Sequence, residues 1–149
     1  MSSDWTHDLV VNHEVLDRQH ATLFARLARA EAALDGPAAE VDRALSAFAD
    51  DLMAHLANEE RLMEETLYPD RGRHRSAHEM FVSDLVQLRG ELQQKGSSEV
   101  VADWIRTRIP EWLRVPIRVN DAPLAAYLSR QAERQGDTRP RRGNGGRPS

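Results

Sequence analysis

Four stretches of this chain repeat apolar residues every three to four positions. Only a helix buries residues so spaced on one side. The first runs from Leu16 to Leu34, with Leu16, His20, Leu23, Phe24, Leu27, Glu31 and Leu34 on one stripe. Asp35-Gly36-Pro37 ends it, and Pro37 is placed to open the second helix. That helix extends to about Leu67, with Val41, Leu45, Phe48, Leu52, His55, Glu59 and Leu62 as its stripe. Tyr68-Pro69-Asp70 reads as a turn, with Asp70 placed to cap the third helix, which carries Arg71, His74, His78, Phe81, Leu85, Leu88 and Leu92. Lys95-Gly96-Ser97-Ser98 is the next break, with Ser97 or Ser98 as cap. The fourth helix carries Val101, Trp104, Ile105, Ile109, Trp112 and Val115. Alternating strand patterns are scarce. Four long helices with short loops predict an all-α fold, an antiparallel up-down-up-down four-helix bundle.

Three of the stripes contain side chains that an apolar core rejects: His20 on the first, His55 and Glu59 on the second, His74 and His78 on the third. A buried glutamate is costly unless it is paired or binds a cation. His55/Glu59 and His74/His78 are both four residues apart, so each pair lies on one helix face and both members reach a common ion. Imidazole and carboxylate without thiolate suit iron, zinc or manganese. Bundle interiors accommodate such sites.

The 149 residues contain no cysteine, which removes disulfides and thiolate ligands from consideration. No apolar run is long enough to span a membrane, and the N-terminus lacks the pattern of a signal peptide, so the expected compartment is the cytoplasm. Net charge is −4, with six arginines against Glu133 and Asp137 beyond residue 129 and an acidic remainder. Residues 1–130 are expected to form the bundle and 131–149 a disordered Arg/Gly/Pro-rich tail. An acidic body argues against nucleic acid as a partner.

The motifs W-x-x-D-L-x-V and L-D-x-Q-H-x-x-L-F (Trp5 to Phe24), H-L-x-x-E-E-x-x-M (His55 to Met63), H-x-x-x-H-x-x-F (His74 to Phe81) and W-L-x-x-x-I-x-x-x-D (Trp112 to Asp121) follow in order along the chain. Together they resemble the bacterial hemerythrins over about residues 5 to 128. The resemblance implies two non-haem iron ions bridged by carboxylates, with dioxygen as ligand or co-substrate. It maps His20 and His55 to one iron, His74 and His78 to the other, and Glu59 and Asp121 to the bridges. The family's fifth histidine belongs four residues after Trp112, where this chain has Pro116.

An interior proline lacks a backbone donor and crowds the preceding turn, so the fourth helix is expected to kink or to end near Val115. A second departure is His13, where the family usually has an aliphatic residue, beside Asn12 where it usually has glycine. His13 is a candidate replacement ligand, against the plainer reading of a packing or surface histidine. With two histidines per iron, the resemblance leans towards an oxidase or oxygenase acting on a small-molecule substrate, with Phe24, Leu56, Trp112, Pro116 and Ile117 as pocket candidates. The alternatives are a reversible dioxygen carrier or sensor, and a structural bundle with a single zinc or no metal.

Overall fold

The computed structural model describes residues 5–138, with side chains through 135. The chain is a four-helix bundle, with α1 (Glu14–Ala33), α2 (Ala38–Glu65) and α3 (Arg71–Lys95) followed by a long fourth helix, α4 (residues 99–138). Among the described residues there is no strand. A short 3-10 turn, His7–Leu9, precedes α1 and buries Leu9 against the core.

The core is the set of apolar stripes turned inward. Leu16, Leu23, Leu27, Val41, Leu45, Phe48, Leu88, Val101 and Ile105 are essentially inaccessible to solvent. Each Leu or Phe buried in this way contributes about 1.5–3 kcal/mol. The breaks between helices have local causes. Pro37 is the N-cap of α2 rather than its first residue. Asp70 occupies the N-cap of α3 but makes no capping bond, and its carboxylate lies 3.4 Å from Arg73 instead. Gly96, at φ 72°, ends α3 and donates its N–H to Leu92 O; positive φ is open to glycine at little cost. Ser98 is the residue that caps α4, its Oγ accepting from Val101 N–H at 3.3 Å.

α4 departs from expectation. It does not end near Val115 but continues through Pro116 to Thr138. Its α-helical parts, Glu99–Asp103, Ile109–Pro116 and Ala122–Thr138, alternate with two π-helical parts, Trp104–Arg108 and Ile117–Asp121. Each π segment is closed by a bond across five residues: Ile109 N–H to Trp104 O, and Ala122 N–H to Ile117 O. A π turn is wider than an α turn and takes in one extra residue. Pro110 and Pro123 directly follow these closing donors, where a wide turn eases the clash of a proline ring with the carbonyl below it. Pro116 keeps helical angles, φ −64° and ψ −31°, which its ring favours.

The π turns also set which side of α4 is buried. Val101, Ile105, Ile109, Leu113, Ile117, Asp121 and Ala125 are all buried, one at every fourth position. In a pure α-helix of 3.6 residues per turn such a row would drift by about 40° per step. The two wide turns cancel much of that drift. Val115, expected inward, is 49% exposed, and Leu113 and Ile117 take its place. The domain boundary expected at residue 130 is not a break in the helix, since 131–138 extend α4. The rest of the expected tail, 139–149, lies outside the described residues.

Candidate metal centre

Six polar side chains from all four helices meet inside the bundle. α1 supplies His20, α2 supplies His55 and Glu59, α3 supplies His74 and His78, and α4 supplies Asp121, each at most 5% exposed. They form two groups able to hold a metal ion: His20, His55, Glu59 and Asp121, and Glu59, His74 and His78. The histidines form two similar edge-to-face pairs, His20–His55 with ring centroids 4.8 Å apart and His74–His78 at 4.6 Å.

The carboxylates lie between the pairs. Asp121 Oδ2 is 2.8 Å from His20 Nε2 and 3.6 Å from His55 Nε2, while its Oδ1 is 3.1 Å from His74 Nε2. Glu59 Oε1 is 3.1 Å from His74 Nε2 and 3.0 Å from His78 Nε2, while its Oε2 faces His55 Nε2 at 3.7 Å. Each carboxylate therefore turns one oxygen to each pair. Asp121 reaches this position because its π segment spaces it five residues from Pro116 and keeps it on the buried side.

The electrostatics follow from burial among opposite charges. Burial alone would lower the pKa of His74, but its bonds to Asp121 and Glu59 raise it to about 9. Burial also opposes protonation of His55, and the Asp121 bond with the charge of Glu59 raises it nonetheless. Burial would raise Asp121, yet His20, His55 and His74 hold it well below the usual carboxylate range. Glu59 Oε2 is buried without a hydrogen-bond partner among the described residues. An orphaned carboxylate oxygen in a core is costly, and a cation between the nitrogens and oxygens removes that cost. The imidazole and carboxylate donors suit a metal ion such as iron, zinc or manganese in each of the two groups.

Two histidines of the centre have outer partners that sequence reasoning missed. His55 Nδ1 donates to Gln19 Oε1 at 2.7 Å, and His78 Nδ1 donates to Glu60 Oε2 at 3.0 Å. Their signal was adjacency, Gln19 beside His20 and Glu60 beside Glu59. These bonds aim Nε2 of each ring inward.

His13 is not brought to the centre. It is the N-cap of α1, and its Nδ1 accepts from Leu16 N–H at 3.2 Å. Asn12 adopts φ 64°, a left-handed conformation that asparagine tolerates better than most residues, which accounts for asparagine where the family resemblance places glycine. The Asp17 carboxylate fixes this arm by accepting from the N–H groups of Val11, Asn12 and His13.

Between the polar groups, lined by His20, His55, Glu59, His78 and Asp121, is a cavity of about 10 Å³. Of the pocket candidates, Leu56, Pro116 and Ile117 line it, together with Phe81 and Leu113. Phe24 and Trp112 do not. Phe24 is packed in the core under the Arg114 guanidinium, 5.5 Å from its ring. Trp112 turns away to donate its indole N–H to Asp84 at 3.0 Å and packs on Phe81. Among the described residues, no helix is long and apolar enough to cross a membrane.

The family description Hemerythrin HHE cation binding domain matches residues 11–128, most of the chain and all six polar residues. The chain belongs to this hemerythrin family. It is 32% identical over 122 residues to a bacteriohemerythrin of Stenotrophomonas maltophilia, covering 81% of this chain and 78% of the relative. A bacteriohemerythrin of Pseudomonas aeruginosa is 29% identical over 119 residues, covering 79% and 76%. Among solved structures, a leucine-to-phenylalanine mutant superposes with a TM-score of 0.76 at 26% identity, over 84% of this chain and 95% of the other. This hemerythrin domain is thus a metal-binding bundle with its polar cluster inside the matched region.

Proposed function

We propose that this hemerythrin is a non-haem di-iron protein whose partner is dioxygen. The observation that supports it best is the double bridge, in which Glu59 and Asp121 each offer one oxygen to each histidine pair. On this reading His20 and His55 hold one iron, His74 and His78 the other, and the two carboxylates are shared. Iron, when bound, supplies the electrons that dioxygen accepts. The protein's part is to hold the donors convergent and to keep bulk water out, through the apolar wall of Leu56, Phe81, Leu113 and Ile117. The space of about 10 Å³ between this wall and His20, His55, Glu59, His78 and Asp121 is the place the metals would take.

A second reading is an oxidase that reduces dioxygen with electrons from an external donor. Pro116 supports it. A residue without a donor faces the cavity where the family resemblance places a histidine, which leaves two histidines on each side.

Iron content after anaerobic Fe(II) loading, with visible spectra through cycles of air and argon, tests both. About two irons per chain and a band that returns with each cycle are expected for dioxygen binding. A band lost after one exposure, leaving ferric protein, supports the oxidase. Bound zinc alone, or no metal, overturns both. Pro116→His should lengthen the life of the band, since it adds a donor at the cavity wall.

A further inference from the structure

The outer faces of the four imidazoles are unequal. His78 is backed by a carboxylate, Glu60, at 3.0 Å. His55 is backed by a neutral amide, Gln19, at 2.7 Å. The Nδ1 atoms of His20 and His74 are buried with no partner among the described residues. A histidine whose N–H is held by a carboxylate is a more basic donor at its other nitrogen. Both histidine pairs face the same two carboxylates, although the His20/His55 group gathers four donors and the His74/His78 group three. Among the outer partners of the histidines, Glu60 carries a charge and Gln19 does not, and this charge backs the position with fewer donors.

Glu60 is well placed for this role. Its side chain is 35% exposed, at a groove between α2 and α3 formed by Met53, Leu56, His78, Glu79 and Val82. Arg75 Nε stands 3.8 Å from Oε1 while Oε2 takes the His78 bond. The arginine is itself fixed by Glu64 at 2.7 Å. The carboxylate is thus held by one oxygen and used by the other. Partial exposure screens its charge without removing it.

We propose that Glu60 is a positioning residue that makes the His74/His78 metal position the stronger of the two and the first to fill. The proposal rests on the di-iron reading above. Gln19 is the weaker counterpart at His55. Loss of an outer partner of this kind lowers metal affinity by roughly 10- to 100-fold.

The test is anaerobic titration of the full chain with Fe(II), followed by Mössbauer spectroscopy. At one iron per chain the wild type should show one dominant ferrous signal, and at two irons a second signal of equal area. Glu60→Gln keeps the shape of the side chain and removes its charge. It should give both signals already at one iron, with first-site affinity reduced about 10-fold. Gln19→Glu should level the two positions from the other side. A merely structural Glu60 would leave the order of filling unchanged in Glu60→Gln, and that result would overturn the proposal. Equal filling in the wild type would overturn it too. Fewer than two irons at saturation would instead overturn the di-iron reading, and the proposal with it.

Discussion

Stripping metal with a chelator should leave a bundle that weakens as the solution turns alkaline. The cause is His74, whose Nε2 lies 3.1 Å from both Glu59 Oε1 and Asp121 Oδ1. Burial disfavours its charge, but these carboxylates raise its pKa from 6.5 to about 9. A raised pKa means that the folded state binds the proton more tightly than the unfolded chain. The stabilisation is complete below pH 6.5 and is lost as pH rises through about 9. For this one group it amounts to about 3 kcal/mol. That corresponds to roughly 10 °C in Tm for a chain of this length. His55 adds to the effect in the same direction. Asp121 acts at the other end: its depressed pKa gives stability that is present above 3.8 and lost on acidification. Urea unfolding of chelated protein from about pH 5 to pH 10 should show a plateau below 6.5 and then a fall. Asp121→Asn removes the bond that does most to raise His74 and should flatten the alkaline limb. A wild-type profile that stays level or rises above pH 7 would refute the argument. It would mean that the histidines are not protonated between the two carboxylates.

Other substitutions probe the frame. Leu67 sits at φ 54° after α2, 67% exposed, so Leu67→Gly should raise stability by about 1 kcal/mol in thermal unfolding; no gain would mean that the left-handed backbone costs leucine little at this position. His13→Ala should cost about 1 kcal/mol through the lost cap and leave iron content unchanged, whereas lost iron would restore His13 as a ligand. Asp17→Ala orphans three backbone N–H groups, so it should cost about 2 kcal/mol and speed hydrogen exchange at Val11, Asn12 and His13. Unchanged exchange there would show that the arm is held by Leu9 and Val11 packing instead.

The helices α1 to α3 could be read directly because their apolar residues keep an ordinary α-helical period. The polar cluster was legible for the opposite reason. His20, His55, Glu59, His74 and His78 occupy positions where apolar side chains belong, and so many exceptions on three facing stripes demand a shared partner. α4 was misread because a 3.6-residue template was laid on a row with a period of four. That template places Val115 inward and leaves Leu113 off the stripe, whereas Leu113 is buried and Val115 is half exposed. The row from Val101 to Ala125 was present in the sequence, but its period carries meaning only once π turns are allowed. Gln19 and Glu60 were hidden by a different limit. They flank centre residues along the chain, yet each serves a histidine on another helix, and that pairing depends on how the helices pack. His13 shows the reverse case, in which a residue type suited to metal binding serves a helix end, in keeping with the plainer of its two readings.

Helices usually punish changes in length, because each residue removed turns everything downstream by about 100°. α4 has slack at two places. A π turn holds one residue more than an α turn requires. Deleting one residue from 118–120 would let the rod close as ordinary α-helix with the aspartate still on its inner side, and a deletion within 105–107 would do the same for Ile109. Relatives whose last helix differs from this one by a residue or two can therefore keep the same inner face, and they should be matched to it turn by turn rather than position by position.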